Sequence, residues 1–148
     1  MGRRRRSRES ALQMLFQVDL TGEPAEDVFR EFWRGRKSDE DVRDFAQALV
    51  RGVLRHRVAL DQTVGASAEH WRVERMAVVD RNVLRLAVYE LLFDDETPPP
   101  VVIDEAIEIA KRYGSAESGG FINGILDDIR LRLERGELQR PADPEADD

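Results

Sequence analysis

Val79-Asp80-Arg81-Asn82-Val83-Leu84-Arg85-Leu86-Ala87-Val88-Tyr89-Glu90-Leu91 (residues 79–91) decides the fold class. Its apolar members, together with Leu92 just beyond, recur at helical spacing rather than alternating. The arc they cover is wider than one face, which predicts a helix at the centre of the protein. Downstream, Pro98-Pro99-Pro100 halts any preceding helix and can open the next one. Ile103, Ala106, Ile107 and Ala110 line that helix, and Gly114 ends it. Phe121, Ile122, Ile125, Leu126, Ile129 and Leu133 mark a last one.

Upstream the helical period continues. Trp71 and Val73 read as a linker. Val42, Phe45, Ala46, Leu49, Val50, Val53 and Leu54 mark a long helix that persists through Val58, Leu60 and Val64, with a bend near His56. Ser38-Asp39-Glu40-Asp41 resembles a capping box before it. Val28, Phe29, Phe32 and Trp33 form a short stripe after Pro24. Ala11, Leu12, Leu15, Phe16 and Leu20 belong to a first helix, with Ser7 as the expected N-cap and Gly22 as the left-handed stop. No stretch alternates with period two, and no repeat of solenoid length is present. The expected class is all-α, a compact bundle of about seven helices.

The 148 residues suffice for one domain with a real core. Cysteine is absent, which removes disulfides, thiol catalysis and cysteine-ligated metals. No apolar run has membrane-span length, and the basic N-terminus lacks a signal-peptide pattern, so no membrane contact and a cytoplasmic location are expected. The net charge of −7 conceals a split. Residues 1–8 hold five arginines and no acid, a net of +5. The remainder carries 18 basic against 30 acidic residues, a net of −12. A basic arm on an acidic body suits a nucleic-acid contact, and it also suits a solvated tail. The expected organisation is a flexible arm over 1–8, a helical domain over 9–135 and a disordered acidic tail over 136–148.

Catalytic patterns are missing. His56 and His70 have no helix partner at metal-ligand spacing, so no metal site is expected. Gly114 and Gly119 have the spacing of a phosphate loop, but Gly120 stands where lysine is required and no strand precedes them. There is no dinucleotide fingerprint and no nucleophile elbow, so neither an enzyme nor a cofactor is expected. Two constellations remain. Arg8, Gln13 and Phe16 follow the arm along one helix, where arginine binds phosphate, glutamine reaches a base edge and phenylalanine stacks. Residues 115–124 run from a small polar loop into a helix start, with Phe121 and Asn123 offering stacking and hydrogen bonds. On periodicity alone Phe16 can equally be a core residue, and residues 115–124 also read as a plain helix–helix corner with Phe121 as its core anchor.

Arg-Arg-Ser-Arg-Glu-Ser-Ala-Leu-Gln (5–13), the 79–91 stretch and Ile-Asp-Glu-Ala-Ile-Glu-Ile-Ala-Lys-Arg-Tyr-Gly (103–114) occur in this order. Ser118, Phe121, Ile122, Asn123, Gly124, Ile125, Leu126 and Asp127 follow. Together they closely resemble the NusB transcription antitermination family over about residues 4–130. The resemblance implies two packed helical subdomains and a non-catalytic RNA-binding factor. It implies recognition of boxA RNA together with the ribosomal protein NusE, indirect contact with other Nus factors and RNA polymerase, and read-through in ribosomal RNA operons. Some relatives self-associate, so a homodimer is a further implied state.

Residue by residue, the resemblance places RNA contacts on Arg4, Arg5, Arg6, Arg8, Gln13, Phe16, Ser118, Phe121 and Asn123. Phe16 stands where relatives often carry tyrosine, Gly120 where they are often basic, and Asp104 where asparagine is common. The protein partner is expected on the central helices at Glu74, Asp80, Arg81 and Leu84. The alternative from another class is a helical protein-binding adaptor or dimer without RNA specificity.

Overall fold

The structure is a computed structural model that describes residues 2–145. Among these there are seven α-helices and one short 3-10 turn, and no strand. The helices are α1 (Arg3–Thr21), α2 (Ala25–Trp33), α3 (Glu40–Arg55), α4 (Arg57–Ser67), α5 (Val78–Phe93), α6 (Pro99–Tyr113) and α7 (Ser118–Glu134), with the 3-10 turn at Val73–Arg75. None is long and apolar enough to cross a membrane.

The α5 helix takes the central place expected of its wide apolar arc. It touches α1, α3, α4, α6 and α7. The first three helices pack on one another, and α4–α7 form a second group around α5. One continuous core joins the two groups, with Leu12, Met14, Leu15, Leu60, Leu84, Ile122, Leu126 and Ile129 almost wholly excluded from solvent. Each such side chain contributes roughly 1.5–3 kcal/mol through burial.

Local chemistry explains the boundaries. Gly22 ends α1 with φ 74°, and its N–H donates to the Val18 carbonyl at 2.8 Å. The expected bend is a break at His56, with φ −105° and ψ 17°, between α3 and α4. Gly52 lies against the Tyr89 ring, in the space a Cβ would fill, so α3 approaches α5 closely.

Three expectations about the ends need correction. Residues 3–8 are the first two turns of α1, not a flexible arm. Ser7 is not its N-cap; its side chain is buried and donates to the Val42 carbonyl at 3.0 Å. The arginines find acids that lie far away in sequence: Arg3 pairs with Asp39 and Asp41, Arg5 with Glu105, and Arg8 with Glu90. Arg4 lies over the Phe45 ring, 3.7 Å from its centroid. The Ser38–Asp41 capping box does not form: the N-cap is Asp39, the Ser38 hydroxyl donates to the Asp39 carbonyl, and the Asp41 carboxylate accepts from Arg3.

The acidic tail is also engaged over its described part. Leu138 packs on the core, and Arg140 donates to the Leu92 and Phe93 carbonyls at the end of α5. Arg55 binds Asp143 and Glu145. Residues 146–148 of the expected tail, and Met1 of the expected arm, lie outside the described residues.

Candidate nucleic-acid interface

Helix α1 buries Ala11, Leu12, Met14 and Leu15 and leaves an opposite stripe open. Arg6, Gln13, Phe16 and Leu20 lie along that stripe, spaced by three, four or seven residues. Arg6 is exposed and has no ion-pair partner among the described residues. Phe16 is 37% exposed, and Leu20 more so. From Arg6 to Phe16 the stripe runs about 15 Å at the helical rise.

Side chains of α6 flank the same stripe in register. Arg5 Nε donates to Glu105 at 3.1 Å, Arg112 binds Glu9 at 3.0 Å, and Gln13 Nε2 reaches the Tyr113 hydroxyl at 3.5 Å. The Arg5 hydrogen bond leads the effects that hold the Glu105 carboxyl below its ordinary range. Tyr113 precedes Gly114, the start of the α6–α7 corner. Gly114 ends α6 without a left-handed turn; a side chain there would collide with Ser118 and the Ala110 carbonyl. Ser118 Oγ accepts from the Ser115 N–H at 2.9 Å and donates to Asp80 at 2.7 Å.

Consecutive residues of α5 therefore tie both halves together. Asp80 holds Ser118, three residues before Phe121. Arg81 holds Asp19, three residues after Phe16, at 2.7 Å. Asp19 also accepts from Asn82 at 2.9 Å and Arg85 at 3.1 Å, while Arg85 grips Asp61. Burial pushes the Asp19 carboxyl up, but hydrogen bonds from Arg81 and Asn82 and the charges of both arginines outweigh it. Its pKa is about 2. The network links the helix that carries Phe16 to the corner that carries Phe121.

At the corner, Phe121 is half-buried and meets Trp71 edge-on, centroids 5.9 Å apart. Asn123 is exposed. Trp71 is 56% exposed and, with Met76, Ala77, Asp80 and Glu117, completes a shallow hollow around Phe121.

The expected contact residues thus divide. Arg4, Arg6, Gln13, Phe16, Phe121 and Asn123 reach the surface, and Arg5 is half-buried on Glu105. Arg8, Ser118 and Leu84 are corrections. Arg8 is 6% exposed and clamps Glu90 with two nitrogens; Ser118 is 1% exposed and serves the corner; Leu84 is pure core. They position the surface and do not form it. Of the residues expected at the protein partner, Glu74 is exposed, whereas Asp80 and Arg81 are half-buried and engaged by Ser118 and Asp19.

Some neighbours of this surface drew no expectation from the sequence. Trp71 read as a linker. Arg36 and Lys37, beside Phe32 and Trp33, line a groove of about 680 Å³ with Arg6 and Gln13. Their basic–aromatic adjacency was visible in the sequence. The acids that bind the arginines carried no sequence signal, since pairing depends on which helices meet.

The sequence pattern of the NusB family matches residues 5–130. The chain belongs to the NusB family. Curated relatives support the same family across nearly the whole length. The transcription antitermination protein NusB of Anaeromyxobacter dehalogenans is 51% identical over 139 residues, covering 91% of this chain and 97% of that one. The protein of the same description from Sorangium cellulosum is 48% identical, covering 95% and 100%. Among solved structures, T. maritima NusB is similar with TM-score 0.82 and 42% identity, over 93% of this chain and 99% of that one. A chain from the crystal structure of antitermination factors NusB and NusE in complex with dsRNA superposes with TM-score 0.80 and 30% identity, over 88% and 98%. The expected all-α class agrees with these NusB folds. At Gly120 the space beyond the backbone is open, so a larger side chain would point into solvent.

Proposed function

We propose that this NusB-family chain is a non-catalytic adaptor that binds boxA-type RNA together with the ribosomal protein NusE, within antitermination complexes of RNA polymerase and other Nus factors. The observation that carries the proposal is the stripe on α1 that brings the exposed Arg6 and Phe16 and the half-buried Gln13 to one face, linked through Asp19, Arg81, Asp80 and Ser118 to the Phe121–Asn123 corner. Cations at one end attract the backbone, and two rings farther along accept splayed bases. The acidic remainder repels RNA elsewhere, which confines it to this edge. That remainder also suits a basic protein partner, with Glu74 the exposed acid beside the half-buried Asp80 and Arg81.

The test is a fluorescence titration of boxA-like RNA and of a scrambled RNA of equal length, each with and without NusE. The reading requires tighter binding of the boxA-like RNA, strengthened by NusE. Equal binding of both RNAs in the presence of NusE would favour the protein-only adaptor.

A further inference from the structure

The groove beside Arg6 is not explained by the Phe16–Phe121 end of the surface. One wall is α1, with Arg6, Ser10 and Gln13. The other is the end of α2 and the connection to α3, with Phe32, Trp33, Arg36, Lys37 and Ser38. Its charge is poorly balanced from within. The two acids that line it, Glu9 and Asp39, each bind an arginine outside the lining, Arg112 and Arg3. Arg6, Arg36 and Lys37 have no ion-pair partner among the described residues, in a body whose net charge is strongly negative.

The aromatic wall is prepared as well. Phe32 and Trp33 meet edge-to-face with centroids 4.8 Å apart, and the Arg36 guanidinium lies over the Phe32 ring at 4.1 Å. The buried Trp33 Nε1–H has no hydrogen-bond partner among the described residues, an unmet donor in this wall. Gly35 has φ 74°, a left-handed conformation that turns the chain between Trp33 and the Arg36–Lys37 pair.

We propose that this groove is a second RNA subsite, which takes the single-stranded nucleotides flanking the recognised element. It rests on the proposed RNA function and extends it by naming where the strand continues. Arg6 and Gln13 belong to both the stripe and the groove, so the track is unbroken. Phosphates lie near Arg6, Arg36 and Lys37, and the half-buried Phe32 side offers an apolar face. Contacts of this kind add affinity without adding sequence preference.

The experiment uses the full chain with NusE and three labelled RNAs: the boxA-like element alone, and the same element lengthened at one end or at the other. The expected result is tighter binding of one lengthened RNA. In the double variant Arg36→Ala, Lys37→Ala, that gain disappears while binding of the short RNA is unchanged. The slope of log affinity against log salt for the longer RNA falls by about 0.7 for each phosphate contact removed. No gain from lengthening at either end overturns the subsite and leaves the RNA function standing. Equal weakening of short and long RNAs by the double variant also overturns it, because the groove would then belong to the main site. Failure of every RNA to bind overturns the RNA function itself, and the subsite with it.

Discussion

Replacing Arg8 with alanine separates a packed N-terminal helix from a loose basic arm. Arg8 Nε lies 2.9 Å and Nη2 2.8 Å from the Glu90 carboxylate, and Nη1 is 3.5 Å from Glu105. The side chains of Arg8 and Glu90 are only 7% and 3% exposed. Truncation leaves Glu90 charged, buried and without its fork of donors. Breaking such a pair costs about 3–5 kcal/mol. Arg6, two residues earlier, is exposed and unpaired among the described residues, so Arg6→Ala stays within about 0.5 kcal/mol of the parent. The joint replacement Arg8→Met, Glu90→Leu removes both charges and recovers most of the loss. Urea unfolding followed by helical circular dichroism gives the three midpoints and slopes under one set of conditions. If Arg8→Ala and Arg6→Ala lower the midpoint equally little, residues 3–8 do not pack as described and the reasoning fails.

Three further outcomes follow from particular contacts. The Asp19 carboxyl sits at about 2 in the folded protein against an ordinary value of 3.8, so its contribution is full above pH 3.8 and lost as pH falls toward 2. That contribution is about 2 kcal/mol, and Asp19→Asn flattens the acid limb of a stability–pH curve over this window; an unchanged limb contradicts the network. Gly52→Ala drives a methyl into the Tyr89 ring, a clash of about 1–3 kcal/mol set against the roughly 1 kcal/mol that alanine gains over glycine inside a helix, and Tyr89→Leu relieves the clash; a Gly52→Ala variant that shows the full helix gain in thermal or urea unfolding refutes the close α3–α5 approach. Phe16→Ala leaves the unfolding midpoint nearly unchanged and weakens RNA binding by about 1–3 kcal/mol, the worth of one stacked base. An RNA titration with no loss removes Phe16 from the site.

Hydrophobic period carried most of the fold. The 79–91 stretch is apolar around most of its circumference because α5 is touched by five helices, and that is a property readable along the chain. Gly22 and the His56 break were equally legible, since both reflect local backbone geometry. The N-terminus was not. Four of the five arginines among residues 3–8 look solvent-bound until Glu90, Glu105, Asp39 and the Phe45 ring are brought beside them by α5, α6 and α3 with its N-cap. For the same reason Arg8 and Ser118 read as contact residues but act as supports. Over the described part of the tail, Arg140 and Asp143 find partners at the ends of α5 and α3, too far away in sequence for composition to reveal. Phe16 was undecidable by spacing, lying one position from Leu15 and four from Leu12, and its exposure settles only which face it occupies.

The charge split survives in altered form. Of the five N-terminal arginines, Arg5 and Arg8 neutralise half-buried or buried acids and Arg3 pairs with two exposed ones, so the cations open to RNA are fewer than their number in the sequence: Arg6 on α1, with Arg4 held over Phe45. Under the proposed function, specific binding then depends more on the rings than on the arginine count.

The most direct test is therefore a titration of Phe121→Leu against boxA-like and scrambled RNA with NusE present. Leucine keeps an apolar contact with Trp71 and removes the stacking ring. The account predicts a larger loss for the boxA-like RNA than for the scrambled one, with the helical signal unchanged. Equal losses for the two RNAs, or none, would contradict it.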